Sequence, residues 1–214
     1  MSEAATSSGH GDDELRASLA RQVTAVTAEL DKADTAREAA LPACRRTIRA
    51  AGSSIRAVHR GDSAEAARLA DESEQALRLA QRALDGFPAV AAAGFLHDAE
   101  KEYVEARAVA ALVAGVSLPG PEELAVGGTA WMRGLAEAAS ELRRYLLDRL
   151  REGEVARSQQ LLAVMDDVYD ALLVVDYPDS LTGGLRRTLD QLRAVLERSR
   201  GDVTTAVVVR SGPG

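Results

Sequence analysis

Punctuation restricts the fold of this chain more than any other feature. Gly61-Asp62-Ser63, Gly86-Phe87-Pro88, Leu118-Pro119-Gly120-Pro121, Gly153 and Tyr177-Pro178-Asp179 are turn and breaker signals. Between them the segments mostly run to roughly twenty residues, the length of an ordinary globular helix. Apolar residues recur inside them at three- and four-residue spacing. Leu15, Leu19, Val23, Val26 and Leu30 do so in the first segment, and Leu185, Leu189, Leu192 and Leu196 in the last. The pattern predicts helices over about 13–38, 42–60, 64–84, 90–115, 129–151, 155–175 and 180–199, with a short helical stretch near Pro121. Pro42 is read as the first turn of the second helix. Only VTTAVVVR at 203–210 has a strand-like composition. Short linkers favour antiparallel neighbours. The expected fold is therefore all-α: a single-domain bundle of about seven antiparallel helices over residues 13–205. Residues 1–12 are expected as a disordered tail and 206–214 as a flexible C-terminus.

Aromatics make up only 3% of the 214 residues, so the core has to be built from Ala, Leu and Val. That favours helices packed closely through small side chains. The net charge of −7 argues against a general nucleic-acid binder but leaves room for a local basic patch. Cys44 is the only cysteine, which rules out an intramolecular disulfide and a cysteine metal cluster. The first residues lack the basic and apolar regions of a signal peptide, and no apolar run is long enough for a membrane span. A cytoplasmic protein with no membrane partner is the expectation.

Two acidic pairs stand out. Glu102 and Glu105 lie three apart, and Glu137 and Glu141 four apart, so each pair shares a helix face. Asp98, Glu102, Glu105, Val109 and Leu112 form one stripe, which places the first pair partly buried at one end of the bundle. Buried carboxylates need a cation or a base beside them. Two helices that each present such a pair can build an oxygen cage for a hard divalent ion, Mg²⁺ or Mn²⁺. Solvated surface satisfies the same spacing, and Glu137 and Glu141 share their face with Arg144 and Asp148 as an ordinary ion-paired surface would. No Glu-x-x-His pair accompanies them, which argues against a di-iron bundle.

Arg45, Arg49, Arg56 and Arg60 are spaced 4, 7 and 4 and form a guanidinium stripe bordered by Arg46 and His59. Such a stripe can track successive phosphates. It is equally consistent with arginines that pair with the chain's own acids. Arg143 and Arg144 follow Glu141 and are candidates to hold a phosphate. His97, near the first acidic pair, reads as structural.

The segments EYVEA at 102–106, GLAEAASELRR at 134–144, VYDAL at 168–172 and LRRTLDQLRAVLERSRGD at 185–202 together resemble the translin family. The likeness is to its catalytic branch in particular, translin-associated factor X (TRAX). It covers roughly residues 13–205. It implies a seven-helix protein that assembles into a closed, hollow homo-oligomer and binds RNA or single-stranded DNA. For the TRAX-like branch it implies a metal-dependent endoribonuclease. Glu102, Glu105 and Glu141 match the branch's acids, and Glu137 stands where the family usually has aspartate. The non-catalytic translin branch lacks the first Glu-x-x-Glu pair. A basic inner wall and an acidic outside would reconcile RNA binding with the negative net charge. The resemblance thus implies an Mg²⁺-dependent endoribonuclease (Mn²⁺ as the alternative) with Glu102, Glu105, Glu137 and Glu141 as metal ligands. Arg45, Arg49, Arg56, Arg60 and Arg144 are the candidate RNA contacts. The rival readings are an all-α nucleoside triphosphate pyrophosphatase, which also pairs Glu-x-x-Glu with a second acidic pair, a non-catalytic oligomer that binds RNA or single-stranded DNA, and a purely structural helical oligomer.

Overall fold

The computed structural model describes the backbone of residues 7–211 and the side chains of residues 12–210. Among the described residues there are eight helices and no strand. They are α1 (Ser7–His59), α2 (Ser63–Ala83), α3 (Pro88–Ala91), α4 (Phe95–Ala114), α5 (Gly128–Arg151), α6 (Val155–Leu173), α7 (Asp179–Thr182) and α8 (Leu185–Ser211). Six are long, and α3 and α7 are single turns. The all-α bundle expected from periodicity is the fold observed.

α1 packs along α2 and α4, while α5 packs against α4, α6 and α8. The core is the alanine- and leucine-rich interior that the shortage of aromatics requires. Ala106, Val109, Ala136, Ala138, Ala139, Leu142, Leu146, Met165 and Leu192 meet there without solvent contact or nearly so. Cys44 lies in a second apolar cluster with Leu77, Tyr103 and Leu124, and burial pushes its thiol up to about 11. The turn signals work as read. Asp62 caps α2 by accepting a bond from the Glu65 amide, and Gly115 closes α4 in the left-handed conformation.

Three sequence expectations fail. The first two predicted helices are one, because α1 runs for 53 residues through Pro42. Pro42 is exposed, flanked by the buried Ala40 and Ala43, so the ladder bond it removes opens onto solvent while packing continues on the other side. The strand-like 203–210 is helical, because Val203 and Val207 extend the buried stripe of Leu185, Leu189, Leu192 and Leu196. Tertiary burial overrides the β-branched preference there. The stretch near Pro121 is a turn and not a helix, pinned to α2 by Arg78, which donates to the carbonyls of Leu124 (2.6 Å) and Ala125 (3.0 Å). At the ends, the helix is already formed at Ser7 and persists to Ser211; the remainder of both expected tails, 1–6 and 212–214, lies outside the described residues.

From Asp12 to Thr35, α1 stands almost wholly exposed; Leu15, Leu19, Val23, Val26 and Leu30 are 56–63% accessible. None of the described helices is long and apolar enough to cross a membrane.

Candidate metal centre

Close contact between α4 and α5 creates the site. Gly134 sits on α5 where any side chain would strike α4: a Cβ there would lie 2.6 Å from the Lys101 carbonyl oxygen and 2.7 Å from Val104 Cβ. Glycine therefore lets the two backbones approach. The contact lies one turn from Glu137 on one helix and beside Glu102 and Glu105 on the other.

Carboxylate oxygens of Glu102, Glu105 and Glu137 all come within 4.8 Å of one another. The stripe on α4 behaves as its pattern implied, from exposed Asp98 through the half-buried glutamates to buried Val109 and Leu112. Glu141 does not join the trio. Its Oε1 lies 2.7 Å from His59 Nε2, brought in by α1 and only 4% exposed. Glu141 remains close enough that its charge acts on Glu105. Three of the four expected carboxylates thus converge, and the fourth stands beside them with a partner of its own.

Electrostatics act strongly on Glu105. Burial and then the negative charges of Glu102, Glu137 and Glu141 push its carboxyl up to about 8, against the opposing pull of Lys101. Lys101 is the residue that sequence reasoning missed. Its ammonium is buried and donates to Glu102 Oε1 (3.0 Å) and to Glu137 Oε2. Burial alone would lower it, but the Glu137 hydrogen bond and the two carboxylate charges win and hold it above the ordinary lysine value. Neighbours one apart do not face each other on a helix, so the Lys101–Glu102 pairing was not visible in the spacing. His59 was noted as bordering the arginine stripe; its partner, 82 residues away, was not foreseeable.

His97 contacts Arg133 (3.3 Å), and burial together with that guanidinium lowers its pKa. Arg133 in turn reaches Glu137 at 4.0 Å. Arg143 turns away to α8, pairing with Asp202 (2.7 Å) and donating to the Ser199 hydroxyl (3.0 Å), which removes it as a phosphate candidate. Arg144 is exposed and, among the described residues, has no carboxylate within 4.0 Å. The same holds for Arg45, Arg49, Arg56 and Arg60, which line the outside of α1. The stripe is not consumed by internal ion pairs. It ends at Arg60, next in sequence to His59, whose buried side chain meets Glu141.

Fold and site together define a helical-bundle protein with a hard-oxygen cage between two helices and an arginine face on a third. No family model matches the chain. It is similar to the crystal structure of AfC3PO, with 30% identity, a TM-score of 0.82, and coverage of 89% of this chain and 100% of that one. It is also similar to the AfC3PO–duplex RNA complex, again at 30% identity, with a TM-score of 0.73 and coverage of 90% and 100%. Apo-NeC3PO shares the fold at 19% identity and a TM-score of 0.76, over 86% of this chain and 96% of that one. An uncharacterized protein of Methanocaldococcus jannaschii is 29% identical over 177 residues, 81% of this chain and 78% of that protein. The chain belongs to the translin family, as a C3PO-like protein.

Proposed function

We propose that this protein is an endoribonuclease of the TRAX-like branch, dependent on Mg²⁺ or Mn²⁺ and active as a homo-oligomer. The observation that carries the reading is the convergence of Glu102, Glu105 and Glu137 oxygens from two helices. The donor set fits the metal: hard carboxylate oxygens suit Mg²⁺ or Mn²⁺, and a buried ammonium already lies against two of them. AfC3PO, solved with duplex RNA, supports RNA as the ligand.

A divalent ion held there supplies Lewis-acid stabilisation of the phosphodiester and a more acidic water. Glu102, Glu105 and Glu137 would hold it, and Glu141, one turn further along α5, would complete the set on leaving His59. Arg144, exposed one turn beyond Glu141 on α5, is our candidate to hold a phosphate oxygen. Arg45, Arg49, Arg56 and Arg60 span fifteen residues of α1, about 22 Å at the helical rise, and bind the RNA backbone without reading sequence.

The test incubates labelled RNA and a nucleotide panel with the protein in Mg²⁺ or EDTA. Cutting of RNA in Mg²⁺ alone, with gel-shift binding that persists in EDTA, is the expected result. Hydrolysis of nucleotides with RNA left intact, or no hydrolysis of either, overturns the reading. Replacing Arg49 and Arg56 together by glutamate is expected to weaken the gel shift roughly tenfold or more and to flatten its salt dependence. Fluorescence anisotropy across a salt series checks this, and an unchanged slope removes the stripe from the RNA path.

The oligomer is supported by the α1 arm. A solvated single helix gains little from propensity alone, and most helical stability comes from packing an apolar face. Leu15, Leu19, Val23, Val26 and Leu30 form such a face, and among the described residues no element of their own chain covers it. A second copy of the chain is the occupant we assign. Leu19→Glu with Val26→Glu is expected to lower the mass measured by light scattering while the helical circular dichroism of the bundle persists. An unchanged mass rules out the arm as the contact.

A further inference from the structure

We infer that Lys101 is the resident counter-ion of the carboxylate cage, holding the place between Glu102 and Glu137 and yielding it to a divalent cation. The inference rests on the reading of the cage as a divalent-cation site and adds a competitor built into the chain.

Lysine is rarely this buried, and when it is, its charge needs partners. Lys101 is 8% exposed, and its ammonium meets Glu102 Oε1 and Glu137 Oε2. These are two of the three carboxylates whose oxygens converge within 4.8 Å. The other basic side chains nearby have different sites. Arg133 reaches Glu137 through the opposite oxygen, Oε1, at 4.0 Å, and His59 is occupied with Glu141. Lys101 is therefore the cation set directly against two of the three carboxylates that would hold a metal ion.

Helix geometry shows how strongly the cage draws it. Lys101 and Glu102 are adjacent in sequence, so their side chains leave α4 about 100° apart. They meet only because both bend toward Glu137. A divalent ion and an ammonium cannot share these oxygens, since their repulsion at a few ångströms is strong in a partly buried site. Lysine suits an exchange of this kind. Its charge is a compact point at the end of a flexible four-carbon stem, with none of the planar two-point grip of arginine. Its backbone is meanwhile fixed where α4 touches Gly134, so the ammonium can leave without moving the helix.

The experiment titrates Mn²⁺ into wild type, Lys101→Met and Lys101→Arg, reading free Mn²⁺ by electron paramagnetic resonance. Thermal melts of each protein are run in EDTA and in Mn²⁺. Lys101→Met is expected to bind Mn²⁺ about tenfold tighter than wild type, because nothing has to be displaced. It is also expected to melt lower in EDTA and to gain more from Mn²⁺. Lys101→Arg is expected to bind no tighter than wild type. Where Lys101→Met does not fold without metal, Lys101→Gln makes the same comparison, with an uncharged donor to the same oxygens. Wild type binding Mn²⁺ with neither neutral variant tighter overturns the counter-ion role and leaves the cage intact. Absence of Mn²⁺ binding by every protein overturns both this inference and the metal-centre reading.

Discussion

Glu105→Gln is expected to reduce Mg²⁺-dependent RNA cleavage by roughly 10²–10⁴-fold while RNA binding in EDTA stays unchanged. Burial and the negative charges of Glu102 and Glu137 push the Glu105 carboxyl up to about 8, and the oxygens of all three converge. Glutamine keeps the shape but supplies neither the charge nor the second anionic oxygen. The same substitution has the opposite effect on stability. The folded-state value of about 8 lies above the ordinary 4.5, so the folded protein holds this proton more tightly than the unfolded chain does. The associated stabilisation is complete below about pH 4.5 and disappears as pH rises through 8. It amounts to a few kcal/mol, with about 5 kcal/mol as the ceiling. In EDTA, wild type should therefore lose stability between pH 5 and 8, and Glu105→Gln should flatten that loss. Urea melts at pH 5, 6.5 and 8 measure it. Parallel profiles for the two proteins, or equal RNA cutting, remove Glu105 from the centre of the site.

Local signals in the chain were legible and long-range partners were not. Gly61-Asp62-Ser63, Gly153 and the Pro178 turn mark true boundaries because each fixes backbone geometry by itself. Pro42 did not, because the cost of a proline depends on what surrounds the carbonyl it deprives. There the carbonyl faces solvent while Ala40 and Ala43 stay packed. The β-branched run at 203–210 follows the same logic, since its propensity is weaker than the burial of Val203 against the bundle. At the site, residue type and spacing marked Glu102 with Glu105 and Glu137 with Glu141 as two face-sharing pairs but left solvated surface open, and it was the likeness to the translin family that favoured a cage. Type and spacing could not show that Glu141 would be held by His59, that Arg143 would turn to Asp202, or that Lys101 would enter the cage. Those pairings depend on which helices become neighbours, and they join residues 36 to 82 positions apart, or adjacent ones that a helix should separate.

Gly134→Ala is expected to damage the protein more than any other single methyl group added at a described glycine. Alanine would ordinarily stabilise a helix interior by about 1 kcal/mol over glycine. Here the added carbon meets a backbone oxygen at 2.6 Å and Val104 at 2.7 and 2.8 Å, with no flexible side-chain end to give way. Overpacking of a tight contact costs about 1–3 kcal/mol, and occasionally more, so the net sign is destabilising. A fall in melting temperature of roughly 5 °C follows for a chain of this size. Gly201→Ala is the control: its Cβ would meet nothing within 4 Å inside α8, and it should raise stability slightly. The larger effect is on function. α4 must move off α5 to admit the methyl, and Glu102 and Glu105 are carried by one helix and Glu137 by the other. Their oxygens therefore separate, and Mn²⁺ affinity should fall together with the melting temperature. Lost stability with full Mn²⁺ affinity would mean that the cage is set by the side chains alone. A joint loss means that the spacing of the two helices, held by one glycine, determines whether three carboxylates act as a single ligand set.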